Sequence, residues 1–261
     1  MQFIDTHCHL DAAEFGDKQA DIVCAAEAAG VGRIVVPSIA CANFEVVRTL
    51  CERFQHCAPA YGIHPMYAGN ATPNDLDVLR DYLRDRHPAA IGEIGLDFFI
   101  TNYDQARQEY FFAGQLKLAR EFDLPVLLHI RRAQDNILKH LRQIKVCGGI
   151  AHAFNGSRQQ ADEFIKLGFK LGFGGAMTHP RATRLRELAT TLPLESIVLE
   201  TDAPDIPPVF LSHGEPNKPE YLPRIAQTLA ELRGISLEEI AWATTANALN
   251  VLPRLANTHF S

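Results

Sequence analysis

Strand-like apolar runs alternate with helix-period stretches from one end of this 261-residue sequence to the other, and that rhythm limits the fold more than any other feature. The runs are Phe3–Leu10, Arg33–Ser38, Ala58–Ile63, Ala89–Asp97, Pro125–Arg131, Gly149–Phe154, Phe169–Gly174 and Ile197–Asp202. Helical patterns fill Asp17–Gly30, Cys41–Phe54, Thr72–Asp85, Tyr103–Phe122, Ala133–Gln143, Ser157–Leu167 and Arg181–Thr190. Gly30 is a helix-stop signal, and Thr72-Pro73 reads as an N-cap followed by the first helical residue. After the eighth run, a Pro-rich loop (Ala203–Pro223) leads to closing helical stretches over Pro223–Gly234 and Ser236–Leu252. Strands recurring every ~20–35 residues with a helix after nearly each one predict βαβ units closed into a (β/α)8 TIM-type barrel with a C-terminal helical extension. An open doubly wound sheet usually has fewer strands and often a Gly-rich phosphate loop after the first; here His7-Cys8-His9-Leu10-Asp11 stands in that place. No linker, low-complexity tract or internal repeat interrupts the pattern, so residues 1–261 read as one domain. At 47% hydrophobic residues the chain can fill one sizeable core.

The functional face of such a barrel is the C-terminal end of its strands. His7, His9, His64, Glu93, His129, His152 and Asp202 all fall there. Side chains alternate along a strand, so His7 and His9 share a face while Cys8 points the other way, into the core. Each residue has an ordinary alternative: a core imidazole pair for His7 and His9, structural imidazoles for His129 and His152, a salt-bridge carboxylate for Glu93, a turn cap for Asp202. Together, five imidazoles and two carboxylates from six strands would carry a heavy desolvation penalty without cations between them. The set therefore predicts two divalent ions. His7 and His9 chelate, Glu93 bridges, His129 and His152 supply the second ion, and Asp202 is both ligand and general base for the attacking water. Imidazole and carboxylate donors without thiolate suit Zn²⁺ or Mn²⁺ and admit Mg²⁺. His64, before a proline, reads as a substrate contact or as support behind the ligands. Arg131, on the same face as His129, is a candidate for a substrate phosphate, with an exposed surface arginine as the alternative. Phe98 and Phe99 are expected to pack, with stacking on bases as the alternative.

The net charge of −6 argues against a broad nonspecific nucleic-acid footprint. It leaves room for a nuclease, because bound cations reverse the sign of an acidic site locally. No apolar run approaches the ~18–20 residues that span a bilayer, and the N-terminus has no basic start followed by an apolar stretch. The six cysteines contain no Cys-x-x-Cys pair and read as free thiols. A cytoplasmic enzyme without a membrane role is the expectation.

Six motifs in order carry a family resemblance over essentially the whole chain. They are Phe3-Ile4-Asp5-Thr6-His7-Cys8-His9-Leu10-Asp11, Gly92-Glu93-Ile94-Gly95-Leu96-Asp97, Pro125–Ala133, His152-Ala153-Phe154-Asn155-Gly156, Glu200-Thr201-Asp202-Ala203-Pro204 and Asn217–Pro223. On these the sequence resembles the TatD-type deoxyribonucleases, a branch of the metal-dependent amidohydrolase-like barrels. The resemblance implies that His7, His9, Glu93 and Asp202 hold one metal and that Glu93, His129 and His152 hold the other. It implies that His64, Arg131 and Asn155 line a phosphate pocket. It also implies metal-dependent ester hydrolysis, typically of phosphodiesters trimmed from a DNA 3′ end, so single-stranded DNA is the expected partner. Two departures matter. Ile100 stands where the family often has a basic residue, and the often basic loop before Asn217 reads Ser212-His213-Gly214-Glu215-Pro216. Both remove positive charge, which supplies most nonspecific affinity for DNA. The alternative reading is therefore the same site acting on another ester or amide, such as an aminoacyl ester or a small cyclic amide. A metal-loaded binding protein ranks last, because no expected ligand is missing.

Overall fold

A computed structural model of the chain describes residues 1–256. The final positions of the 1–261 span, 257–261, lie outside the described residues. The strands are β1 Phe3–Asp5, β2 Val31–Pro37, β3 Cys57–Tyr61, β4 Ala90–Asp97, β5 Val126–Arg131, β6 Gly149–Ala151, β7 Phe169–Phe173 and β8 Ile197–Leu199. They form one sheet in sequence order, and each consecutive pair is parallel. The ring closes just beyond the last ladder of β8. Thr6 donates its N–H to the Leu199 carbonyl (3.1 Å), Asp202 to that of His7 (2.8 Å), and His9 to that of Ala203 (2.8 Å). This is the predicted (β/α)8 barrel.

Helices follow the strands: α1 Gln19–Ala28, α2 Phe44–Arg53, α3 Pro73–Arg86, α4 Gln105–Glu121, α5 Gln134–Gln143, α6 Arg158–Lys166, α7 Thr183–Thr191, α8 Leu222–Arg233 and α9 Leu237–Val251. Their starts are set locally. Thr72 caps α3 with Pro73 as the first helical residue, and Asp75 accepts from both the Thr72 N–H and its hydroxyl. Ser157 with Gln160, and Ser236 with Glu239, close reciprocal boxes at α6 and α9. Gly234, at φ 66°, ends α8 in the left-handed conformation that suits glycine.

Alternation along the strands sorts side chains into two cores. Ile4, Val35, Ala58, Ala60, Leu127, Ile150 and Val198 point into the barrel, and Ala248, Val251 and Leu252 of the α9 region close the same cluster from the N-terminal end. Their strand neighbours Ile34, Val36, Tyr61, Ile91, Leu128 and Leu171 point outward against Leu50, Leu79, Phe112, Leu116 and Phe164 of the helices. Each such buried aliphatic or aromatic side chain stabilises the fold by about 1.5–3 kcal/mol. The C-terminal helical extension is thus a plug for one mouth of the barrel, and the other mouth is left for the site. Among the described residues no helix is long and apolar enough to cross a membrane.

Candidate metal centre

Every ligand predicted from the strand ends reaches the open mouth, but most sit one to three residues past the last ladder rather than within it. β1 ends at Asp5, β6 at Ala151 and β8 at Leu199, each earlier than the alternation predicts. The chain leaves the ladder there to aim side chains inward. Asp5 does not join the ligands. It accepts from the Thr201 N–H (2.9 Å) and hydroxyl (2.5 Å) and from the His7 N–H (3.2 Å), tying the end of β1 to the end of β8. Ala153 (φ 43°) and Asp202 (φ 58°) both occupy the left-handed region, which is uncommon for non-glycine residues and turns the chain sharply over the site.

Glu93 is buried at the centre, and its two oxygens face different sets of imidazoles. Oε2 lies 3.1 Å from His7 Nε2 and 3.4 Å from His9 Nε2. Oε1 lies 2.9 Å from His129 Nδ1, 3.5 Å from His152 Nε2 and 3.6 Å from His64 Nε2. Asp202 Oδ1 completes the first side at 3.8 Å from His7 Nε2 and 3.7 Å from His9 Nε2. Donor atoms of His7, Glu93 and His152 lie within 4.8 Å of one another, as do those of His64, Glu93 and His129, and those of His7, His9 and Asp202. Two triads therefore share Glu93. The structure brings all seven predicted residues together and adds one detail: His64, expected as a substrate contact or support, stands as close to Glu93 and His129 as a ligand would.

The donor chemistry fits cations. Two carboxylate oxygens offer about four lone-pair sites, and five imidazole nitrogens surround them. His129 has Nε2 3.0 Å from Asp97 Oδ2 while its Nδ1 faces Glu93. A neutral ring has one N–H, so donation to Asp97 leaves a bare lone pair against a carboxylate oxygen unless a cation lies nearby. The His7 and His152 rings stack at 3.8 Å between centroids, an arrangement that disfavours charging both. His7 Nδ1 is buried without a hydrogen-bond partner. The residues present thus suit two divalent ions, with Glu93 between them.

Protons respond to the same crowding. Burial, together with the charge of His152, pushes His7 down to about 3, and burial pushes His64 down to about 3. Burial acts the same way on His9 and His152, but nearby carboxylates outweigh it. The Glu93 hydrogen bond and charge lift His9 to about 9, and the charges of Asp202, Glu200 and Glu93 lift His152 to about 10. Burial raises Asp202 to about 6 against the charges of His152 and His9. Burial also works against ionised Glu93, yet the imidazoles around it hold its carboxyl well below the usual range.

Two carboxylates that the sequence reading left without a role stand behind the ligands. Asp97 contacts His129 Nε2 and accepts from the Phe99 N–H at 2.9 Å. Glu200 accepts from the Ala153 N–H and lies 3.4 Å from His152 Nδ1. The alternation that found His7 and His9 contains the signal for both, since Asp97 falls four residues after Glu93 and Glu200 two before Asp202. Such outer carboxylates fix imidazole orientation and raise ligand basicity. The expectation that Phe98 and Phe99 pack holds for Phe98, which is half-buried and stacks on Tyr103 at 5.0 Å. Phe99 is 45% exposed, because the turn held by Asp97 carries it outward to the rim. Arg131 is exposed on the same rim, 3.9 Å from the Phe99 ring centre. Asn155 is exposed beyond His152, and its Oδ1 accepts from Arg184 at 2.9 Å.

A closed parallel barrel whose open mouth gathers two carboxylate-linked imidazole clusters defines a metal-dependent hydrolase. A family model described as TatD related DNase matches residues 4–253. The chain belongs to that family. It is 44% identical over 251 residues to the metal-dependent hydrolase YjjV of Escherichia coli, covering 94% of this chain and 96% of that protein. The crystal structure of Escherichia coli YjjV superposes with a TM-score of 0.92 at 41% identity, over 96% of this chain and 98% of that one. The 3′-5′ ssDNA/RNA exonuclease TatD of Klebsiella pneumoniae is 32% identical over 253 residues, or 95% of each chain.

Proposed function

We propose that the chain is a cytoplasmic phosphodiesterase that removes nucleotides from the 3′ end of single-stranded DNA, working as one barrel domain over residues 1–261 without an obligate protein partner. The observation that carries this reading is Glu93, one carboxylate with each oxygen turned to a separate imidazole cluster. Likeness to an exonuclease over nearly the full length supports the substrate, and six free cysteines suit a reducing compartment.

In this reading His7, His9, Glu93 and Asp202 hold one ion, and Glu93, His129 and His152 hold the second. When bound, the ions supply Lewis acidity toward water and toward the scissile phosphate. Asp202 Oδ1, beside His7 and His9, is placed to take the proton of the attacking water. His64 and Arg131 meet the substrate phosphate, and Asn155 borders them. A second reading, hydrolysis of an aminoacyl ester or a small cyclic amide, draws on one observation. Glu14, Asp21, Glu215 and Glu220 line a cavity between α1 and the loop after β8, a poor surface for a polyanion.

The test adds Mg²⁺, Mn²⁺ or Zn²⁺ back to metal-stripped protein and follows a 5′-labelled single-stranded DNA. Stepwise shortening from the 3′ end, lost in Asp202→Asn and His7→Ala, is the expected result. Intact DNA beside metal-dependent turnover of a carboxylic ester or amide overturns it in favour of the second reading.

A further inference from the structure

The rim of the open mouth carries three arginines without a carboxylate partner among the described residues. Arg131 and Arg132 leave the end of β5 with their guanidinium carbons 3.9 Å and 4.5 Å from the centre of the exposed Phe99 ring. Gln134, two residues on, donates to the Asn155 carbonyl at 2.8 Å. The Asn155 side chain in turn accepts from Arg184, which is exposed near the start of α7. These contacts link residues following β4, β5, β6 and β7, which are consecutive around the barrel. Across the mouth, the cavity between α1 and the loop after β8 has four carboxylates against Lys18 and Lys218. The rim is therefore basic and aromatic on one arc and acidic on the other.

Resting on the phosphodiesterase reading, we propose that Phe99, Arg131, Arg132 and Arg184 form the track that carries a single nucleic-acid strand over the β4–β7 arc. A base stacks at the Phe99–guanidinium surface, and the backbone phosphates meet the arginines. Aromatic and guanidinium planes accept any base, while cations follow the backbone, which is the combination that sequence-tolerant single-strand binding uses. Asn155 does not need to touch the strand. With its Oδ1 engaged by Arg184, it is a positioning residue that holds one guanidinium toward the rim. The acidic arc repels the strand, which leaves it a one-sided path.

The experiment compares kcat/KM for a short single strand with that for bis(p-nitrophenyl) phosphate, a lone diester that offers Arg132 and Arg184 no neighbouring phosphate. It also measures affinity of the metal-loaded enzyme for a hydrolysis-resistant phosphorothioate strand across salt concentrations. Phe99→Ala and Arg184→Gln are each expected to lower strand kcat/KM about tenfold more than small-diester kcat/KM. Arg184→Gln should also reduce the salt slope of binding by about 0.7. Phe99→Tyr should restore strand preference. Asn155→Ala should match Arg184→Gln, and the Asn155→Ala, Arg184→Gln double variant should be no worse than either alone. If the wild type shortens the strand and these variants lose nothing selective to it, the track is overturned and the phosphodiesterase reading stands. If the wild type hydrolyses the small diester but neither binds nor shortens the strand, the phosphodiesterase reading on nucleic acid falls and takes the track with it.

Discussion

Glu93 faces two imidazole clusters with a single carboxylate, so removing its charge should disturb both at once. Glu93→Gln keeps the shape and one oxygen acceptor but withdraws the anion. Metal analysis after dialysis is expected to find about two ions per chain in the wild type and fewer in Glu93→Gln, with turnover falling in step. Asp97→Asn and Glu200→Gln act one contact further out, on His129 and His152. Each should weaken metal affinity by about 10–100-fold while the fold persists, read by competition with a fluorescent chelator. Unchanged affinity in both would show these carboxylates to be packing rather than support. The six candidate ligands were legible in the sequence because strand-end positions carry that information, whereas His64, which the sequence made a substrate contact or support, stands within ligand distance of Glu93 and His129. Arg184 was not legible, because its place at the rim depends on a contact with Asn155, 29 residues away in the chain.

At the scale of elements, helix positions were the most legible part, since Thr72, Ser157, Ser236 and Gly234 act through bonds or backbone conformation within a turn of their own helix. Strand ends were less so. The runs Phe3–Leu10 and Ile197–Asp202 continue in apolar and alternating character, but hydrogen bonds between the ends of β8 and β1 divert the chain before the pattern stops. β4 shows a further limit. Gly95 has φ 147°, and a Cβ there would sit 2.0 Å from the His129 carbonyl oxygen. The glycine signals close approach in sequence without saying that β5 and a candidate ligand are what approach. Gly95→Ala should therefore push β5 away and displace His129. The expected loss is about 1–3 kcal/mol, which for a chain of this size lowers Tm by roughly 2–4 °C per kcal/mol. A thermal melt checks the stability, and a weaker fit of metal at the His129 side separates displacement from simple destabilisation.

For the whole molecule, the barrel is closed at its two mouths by different means. α9 fills the N-terminal end with Ala248, Val251 and Leu252, whereas the C-terminal end gathers His7, His9, His64, Glu93, His129, His152 and Asp202 from six strand ends around the ring. Ions bound there join β1, β4, β5, β6 and β8, so metal should stabilise the whole barrel as well as the site. A ligand that binds only the folded state at a hundredfold excess over its Kd contributes about 2.7 kcal/mol, so chelation should lower Tm by several degrees. The size of that effect depends on pH through proton competition. Without metal, His9 at about 9 and His152 at about 10 lie above the ordinary 6.5 of an imidazole. Their contribution to folding is then complete below about 6.5 and is lost as pH rises through 9 and 10. His7 and His64 at about 3 behave oppositely: each is favoured neutral above 6.5 and loses that contribution as pH falls toward 3. Metal needs the neutral ring in every case. Metal uptake at neutral pH should therefore release protons from His9 and His152, visible as a buffer-dependent heat in calorimetry. The Tm gap between loaded and stripped protein should shrink from about pH 8 to about pH 6. A gap that widens on acidification, or an uptake that releases no protons, would show that the ions bind elsewhere than among these imidazoles.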